Sequence, residues 1–234
     1  MSHKSGLIKA YAKELKLPTV GHYEEVLRTV QDQGWGYEQF LCEILAREIA
    51  QRQENQLRRR VRLARFPLNK SLDEFRFNNL PNVQEAVVWE LASGEFVQKR
   101  ENIIMIGNPG TGKTHLAIGL GRRLCKEGYS VRFYTAANLT AANLVTELSE
   151  AHEFHRLTKL EQALCKVDLL IVDELSYLTF SKPHAELLFH VLSSRNKRGS
   201  VIITTNLEFS RWSELFPNEM LTAALIDRLT QLIS

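Results

Sequence analysis

Gly107-Asn108-Pro109-Gly110-Thr111-Gly112-Lys113-Thr114 is a full match to GxxxxGK[ST]. Glycine lets a backbone wrap closely around phosphate, so that several N–H groups point inward. Apolar periodicity predicts a helix from Lys113 to Lys126, and its positive N-terminal end adds to the cradle. Lys113 is placed to reach the β- and γ-phosphates of a nucleoside triphosphate, and Thr114 to give its hydroxyl to Mg²⁺. The binding stretch is expected to run from Gly107 into His115. A chance glycine turn is the bland alternative. The context opposes it, because Ile103 to Ile106 before the loop reads as a short strand.

Working outward, the same alternation continues. Val131 to Tyr134, Leu169 to Val172 and Val201 to Thr204 read as further short apolar strands, and the stretches between them read as helices. Such a pattern predicts an α/β fold, a parallel sheet covered by helices on both faces. Residues 1–66 show no convincing strand. Leu7, Tyr11 and Leu15 recur at helical spacing before Pro18. Tyr23, Val26, Leu27 and Val30 mark a second helix. Phe40, Leu41, Ile44, Leu45 and Ile49 mark a third. The expected organisation is a small all-helical domain over 1–66, a linker over 67–80 and a nucleotide-binding domain over 81–234.

Three more sites follow the loop. Leu169 to Val172 ends in Asp173-Glu174, at the strand edge where ligands bind in doubly wound sheets. Asp173 is placed to hold Mg²⁺ through water and Glu174 to polarise the attacking water; surface acids ending a strand are the alternative. Val201 to Thr204 ends in Thr205-Asn206. If that strand lies between the first and third, Asn206 stands beside the γ-phosphate; otherwise it caps the next helix. Arg228, in a helix expected from Met220 to Leu229, either reaches a neighbouring subunit's γ-phosphate or makes a local salt bridge.

The chain has 234 residues, 44% of them hydrophobic and 24% charged, which suits an ordinary packed core. Its net charge is +3, yet Arg52 to Lys70 holds seven basic residues against one acid, Glu54. The remainder is therefore net acidic. Arg58, Arg62 and Arg65 share a helical face, with Arg59 beside them and Arg52 upstream. They can neutralise DNA phosphates, or form a solvated basic face. Cys42, Cys125 and Cys165 are odd in number and lack CxxC spacing, which fits a reducing cytoplasm. No apolar run approaches the roughly 20 residues of a membrane span, so no membrane partner is expected.

In this order the four sites resemble the AAA+ ATPases of the initiator and helicase-loader group. Within it the chain looks most like the IstB family, the ATPase partner of the transposase in two-gene bacterial insertion sequences; DnaC-type helicase loaders are near relatives. The resemblance runs from the basic helical N-terminus through Ser71-Leu72-Asp73-Glu74-Phe75-Arg76-Phe77 to Ala223-Ala224-Leu225-Ile226-Asp227-Arg228-Leu229. Its specific parts are the short spacing between loops, the Ile203-Thr204-Thr205-Asn206 strand end and Ile226-Asp227-Arg228-Leu229. It implies ATP and Mg²⁺ as cofactors. Lys113 and Thr114 would be phosphate and Mg²⁺ ligands, Asp173 the acid on the Mg²⁺ side and Glu174 the hydrolytic base. Asn206 would be the γ-phosphate sensor and Arg228 a finger acting in trans. Asn138 to Lys166 resembles the extra helices that stack this group into spirals rather than flat rings. The implied partners are duplex DNA, a transposase subunit and further copies of the chain in a spiral or ring-like homo-oligomer, in the bacterial cytoplasm. Relatives continue past the Arg228 helix into one more strand, so the strand at Ile103 to Ile106 is expected at a sheet edge, and no second sensor arginine follows Arg228.

Two other functions fit a phosphate loop. A replicative helicase loader would share the fold. A small-molecule kinase would carry a lid and substrate pocket after the third strand, where only about 30 residues separate Glu174 from Asn206, short for such an insertion.

Overall fold

The computed structural model describes residues 3–77, 83–135, 144–175, 182–216 and 218–230. Parts of the expected linker (78–80) and of the Asn138 to Lys166 insert (138–143) lie outside them. The chain divides into two compact units, 1–59 and 60–234.

The first unit is helical. α1 (His3–Glu14) stops where Lys16 turns left-handed and Leu17 N–H bonds back to Ala12 O, two residues before Pro18. α2 (Tyr23–Gln33) ends on left-handed Gly34, whose N–H caps Val30 O. α3 (Tyr37–Ala64) contains the boundary between the units. Ala12, Val26 and Ile44 are buried, as is the charged Glu48. Glu48 accepts from Thr19 N–H and from Arg52 Nε, each at 2.9 Å. The Leu7, Tyr11, Leu15 stripe is exposed, as are Leu41, Leu45 and Ile49. The small face of α1, Ser5 and Ala12, is the one turned inward.

Among the described residues the second unit has four parallel strands, β1 (Ile103–Ile106), β2 (Val131–Thr135), β3 (Leu169–Asp173) and β4 (Ser200–Thr205), in the order β1-β4-β3-β2. The last strand in sequence thus lies between the first and third, as the reading of Asn206 required. β3 and β4 are buried along their whole length, which is why they read as unbroken apolar runs. Among the described residues β1 stands at one edge and β2 at the other.

Successive strand residues face opposite sides, so both faces need cover. α6 (Lys113–Lys126) covers one side, and its Gly121 brings Ile171 and Phe66 close enough that an added methyl would lie 2.8 and 2.9 Å from them. On the other face Leu170, Val172, Val201 and Ile203 pack with residues of α7 (Leu144–Glu153), α8 (Leu157–Cys165), α9 (Lys182–Arg195) and α10 (Glu219–Thr230). Buried Arg195 donates to the carbonyls of Leu164, Val167 and Ser200, tying the turns that lead into β3 and β4.

Residues 67–70 of the expected 67–80 linker are exposed, but two side chains beyond them are packed. Leu72 is buried against Gly119, and Phe75 lies over Gly112. Two short helices, α4 (Glu85–Ala92) and α5 (Glu95–Lys99), precede β1. Among the described residues no helix is long and apolar enough to cross a membrane.

Candidate functional site

The loop between β1 and α6 turns on Gly110 and Gly112, with φ of 81° and 91°. Both values lie where side chains are disfavoured. Gly112 has a second constraint, because a Cβ there would lie 2.9 Å from the Phe75 ring. Phe75 also meets the His115 ring edge-on at 5.1 Å, and His115 Nε2 lies 2.8 Å from Ser71 O. His115 therefore contacts the 66–77 segment.

Lys113 Nζ donates to Gly107 O at 2.6 Å and Asn108 O at 2.8 Å. Burial lowers its pKa, opposed by the charges of Asp173 and Glu174. Thr114 Oγ1 lies 3.0 Å from both oxygens of Asp173. Burial raises the Asp173 pKa, while hydrogen bonds from Thr204 and Thr114 pull it down. Glu174 is raised too, by burial first and then by the charge of Asp173.

A cavity of about 250 Å³ joins Lys113, Thr114 and Glu174. Its walls include Pro109, Gly110, Gly112, Lys113, Thr114, Glu174, Thr204, Thr205 and Asn206. Asn206 does not cap the next helical turn, Phe209–Glu214, whose N-cap is Glu208. Thr114 and Asp173 offer only oxygen donors, the set a hard cation such as Mg²⁺ takes. Mg²⁺ keeps several waters and leans on substrate phosphates, so two protein oxygens beside a phosphate loop fit it. A second cavity, of about 510 Å³, shares Gly107, Asn108, Thr111 and Lys113 with the loop. Its walls are apolar side chains of α4, β1 and α6, among them Val87, Leu91, Ile104 and Leu116.

The sequence reading took Thr204 only as a polar tip of the Thr204-Thr205-Asn206 strand end; its contact with both acids was not foreseen. Its hydroxyl bonds Asp173 Oδ1 at 2.5 Å and accepts Glu174 N–H at 2.9 Å. The available signal was a hydroxyl at the end of an otherwise apolar strand. Nor was that of Phe75 with Gly112, since only the fold brings the two together.

The remaining candidates lie elsewhere. Arg228 is exposed on α10, its guanidinium 5.2 Å from the centre of the Phe189 ring. Arg52 is engaged with Glu48 and Lys16 O, and Arg58 with Glu54. Arg59 and Arg62 are exposed on α3. Arg65 does not continue the helical face: α3 ends at Ala64, and Arg65, with φ of 60°, turns left-handed and reaches Glu147 at 3.4 Å.

Comparison with known proteins gives the family. The family described as IstB-like ATP binding protein matches residues 10–233. The insertion sequence IS21 ATP-binding protein of Pseudomonas aeruginosa is 36% identical over 89% of this chain and 77% of its own length. The IS5376 ATP-binding protein of Geobacillus stearothermophilus is 32% identical over 95% and 87%. AMPPCP-bound DnaA of Aquifex aeolicus superposes with a TM-score of 0.57, at 20% identity, over 69% of this chain and 48% of that one. The last is a likeness of fold, that of the P-loop AAA+ proteins. With a family match over nearly its full length and relatives above 30% identity, the chain belongs to the IstB-like ATP-binding proteins.

Proposed function

We propose that this chain is a Mg²⁺-dependent ATPase that, with ATP bound, assembles on duplex DNA in the bacterial cytoplasm and assists a transposase in selecting or activating at a target site. The observation that carries the hydrolytic reading is the placement of Thr114, Glu174 and Asn206 around one cavity beside the phosphate loop, with Asp173 bonded to Thr114 behind it. Loop N–H groups and Lys113 bind the triphosphate and hold its charge. Mg²⁺, when bound by Thr114 and Asp173, supplies charge neutralisation at the phosphates. Glu174 takes a proton from the attacking water, and its raised pKa makes it a stronger base than an ordinary carboxylate. Asn206 orients that water against the γ-phosphate. The 510 Å³ apolar cavity on the other side of the loop takes the base.

The DNA and transposase parts rest on the insertion-sequence proteins named above and on the basic stretch of α3. Arg59 and Arg62 are its best phosphate contacts, because Arg52, Arg58 and Arg65 already hold acids. The test is ATP turnover and duplex binding across a salt series. Each phosphate contact adds ~0.9 to the slope of log K against log[salt]. Replacing Arg59 and Arg62 with Ala should flatten the slope by roughly 2 units. An unaltered slope would move the DNA surface elsewhere, and a wild-type protein inert toward ATP would remove the enzymatic reading.

A further inference from the structure

We propose that Thr204 is a positioning residue that locks the two acids of the site into one geometry; this rests on the hydrolytic reading above. Its hydroxyl lies 2.5 Å from Asp173 Oδ1 and 2.9 Å from the Glu174 backbone nitrogen. A hydroxyl has one proton to give. A carboxylate oxygen can only accept and an amide N–H can only donate, so the proton goes to Asp173 and a lone pair takes Glu174 N–H. The hydroxyl is thereby fixed in a single orientation. Thr204 is fully buried, so bulk water does not compete for either bond.

The backbone of the same residue completes the clamp. Leu175 N–H donates to Thr204 O at 2.9 Å. The two peptide nitrogens on either side of the Glu174 Cα are thus both held by Thr204. Between them Glu174 has φ of 58°, a left-handed conformation that disfavours any residue with a Cβ. Local strain of this kind persists only where the surroundings over-determine it. Thr204 supplies that determination and so sets the direction in which the Glu174 side chain leaves the strand.

Core packing does not ask for a hydroxyl here. Val201, Ile202 and Ile203 fill the same buried strand, and a valine would fit its run. What valine lacks is the oxygen that reads both acids at once.

The test compares Thr204→Val, which keeps the shape, with Thr204→Ser, which keeps the oxygen. The first measurement is amide hydrogen exchange by NMR on protein without nucleotide or metal. Thr204→Val should speed exchange at the Glu174 amide by about tenfold or more, leaving the amides of Val201 and Ile203 protected; Thr204→Ser should not. The second is steady-state turnover. The Val variant should lose about tenfold or more in kcat while its KM for ATP moves less than about threefold, and Ser should restore most of the rate. If Val prevents folding, Thr204→Ala is read in the same two assays. A Glu174 amide still protected in the Val or Ala variant, or wild-type kcat in either, overturns the proposal. Failure of the hydrolytic reading shows separately, as wild-type turnover equal to that of Glu174→Gln, and the exchange measurement still decides the clamp.

Discussion

The Lys113 ammonium donates to the carbonyl oxygen of Gly107 at 2.6 Å, so the lysine that closes the phosphate loop is tied to the glycine that opens it. It is a strut as well as a charge. Lys113→Ala should lose both roles. ATP with Mg²⁺ should raise the melting temperature of the wild type, since a ligand at 100 times its Kd stabilises by about 2.7 kcal/mol. The variant should show no shift in differential scanning fluorimetry. A shift of wild-type size would put the nucleotide somewhere other than this loop.

Glu174 combines a site role with backbone strain, and three substitutions separate them. Glu174→Gln keeps the size but cannot act as a base, so it should bind ATP normally and hydrolyse it far more slowly. Glu174→Gly should be more stable than Glu174→Ala by about 1 kcal/mol, because only glycine takes φ of 58° without steric cost. Urea unfolding of the three variants reads the second effect and single-turnover hydrolysis the first. Equal stability of the Gly and Ala variants would mean that the left-handed turn carries no strain.

The reach of the sequence reading follows from how far apart the deciding residues lie. The four strands were legible as short, mostly apolar runs and the helix at Lys113 by its apolar periodicity after the glycine loop, each within one window. The central place of β4 was stated only as a condition, since strand order depends on crossovers that no window contains. Asp173 and Glu174 were legible at a strand end. Thr204 was legible only as a polar strand tip, because its bond to the two acids arises from β3–β4 pairing across thirty residues. The stretch 67–80 reads as a linker in isolation, and only Gly112 and Gly119 opposite Phe75 and Leu72 give those two side chains of it a place. In the helical unit the apolar spacing marked the helices, but not which face α1 buries, the one with Ser5 and Ala12.

Glu48 gives the helical unit a pH dependence of definite sign. Burial alone would raise its pKa, but the hydrogen bonds from Arg52 and Thr19 outweigh that and leave it below the ordinary value of 4.5. A carboxyl whose folded pKa is depressed stabilises fully above its unfolded value and loses that contribution as pH falls through the folded one. Glu48→Gln should therefore cost about 1–2 kcal/mol at pH 7 and progressively less below 4.5. Helical circular dichroism during urea titrations at pH 7 and in acid measures the difference. Variant and wild type of equal stability at pH 7 would show that the buried carboxylate contributes nothing.

Arg228 separates an assembling ATPase from one that works alone. Its guanidinium rests 5.2 Å from the centre of the Phe189 ring on an exposed part of α10. Such a contact is worth about 0.5–1 kcal/mol in water, too little to hold the side chain against a γ-phosphate. A finger supplied by a neighbour is worth ~10³ to 10⁵ in rate, because it meets the charge that develops at the transferred phosphoryl group. Arg228→Ala should keep ATP binding and lose hydrolysis, whereas Lys113→Ala should lose both. Mixing the two inactive variants then decides the matter. Some interfaces will pair an intact loop from the Arg228 variant with an intact arginine from the Lys113 variant, and these should recover turnover. Recovery should grow with protein concentration and with added duplex DNA. If Arg228 only packs on Phe189, its alanine variant will melt slightly earlier, and the mixture will stay inactive at concentrations where wild type hydrolyses ATP and sediments as an oligomer. That pattern would return Arg228 to a role within its own subunit.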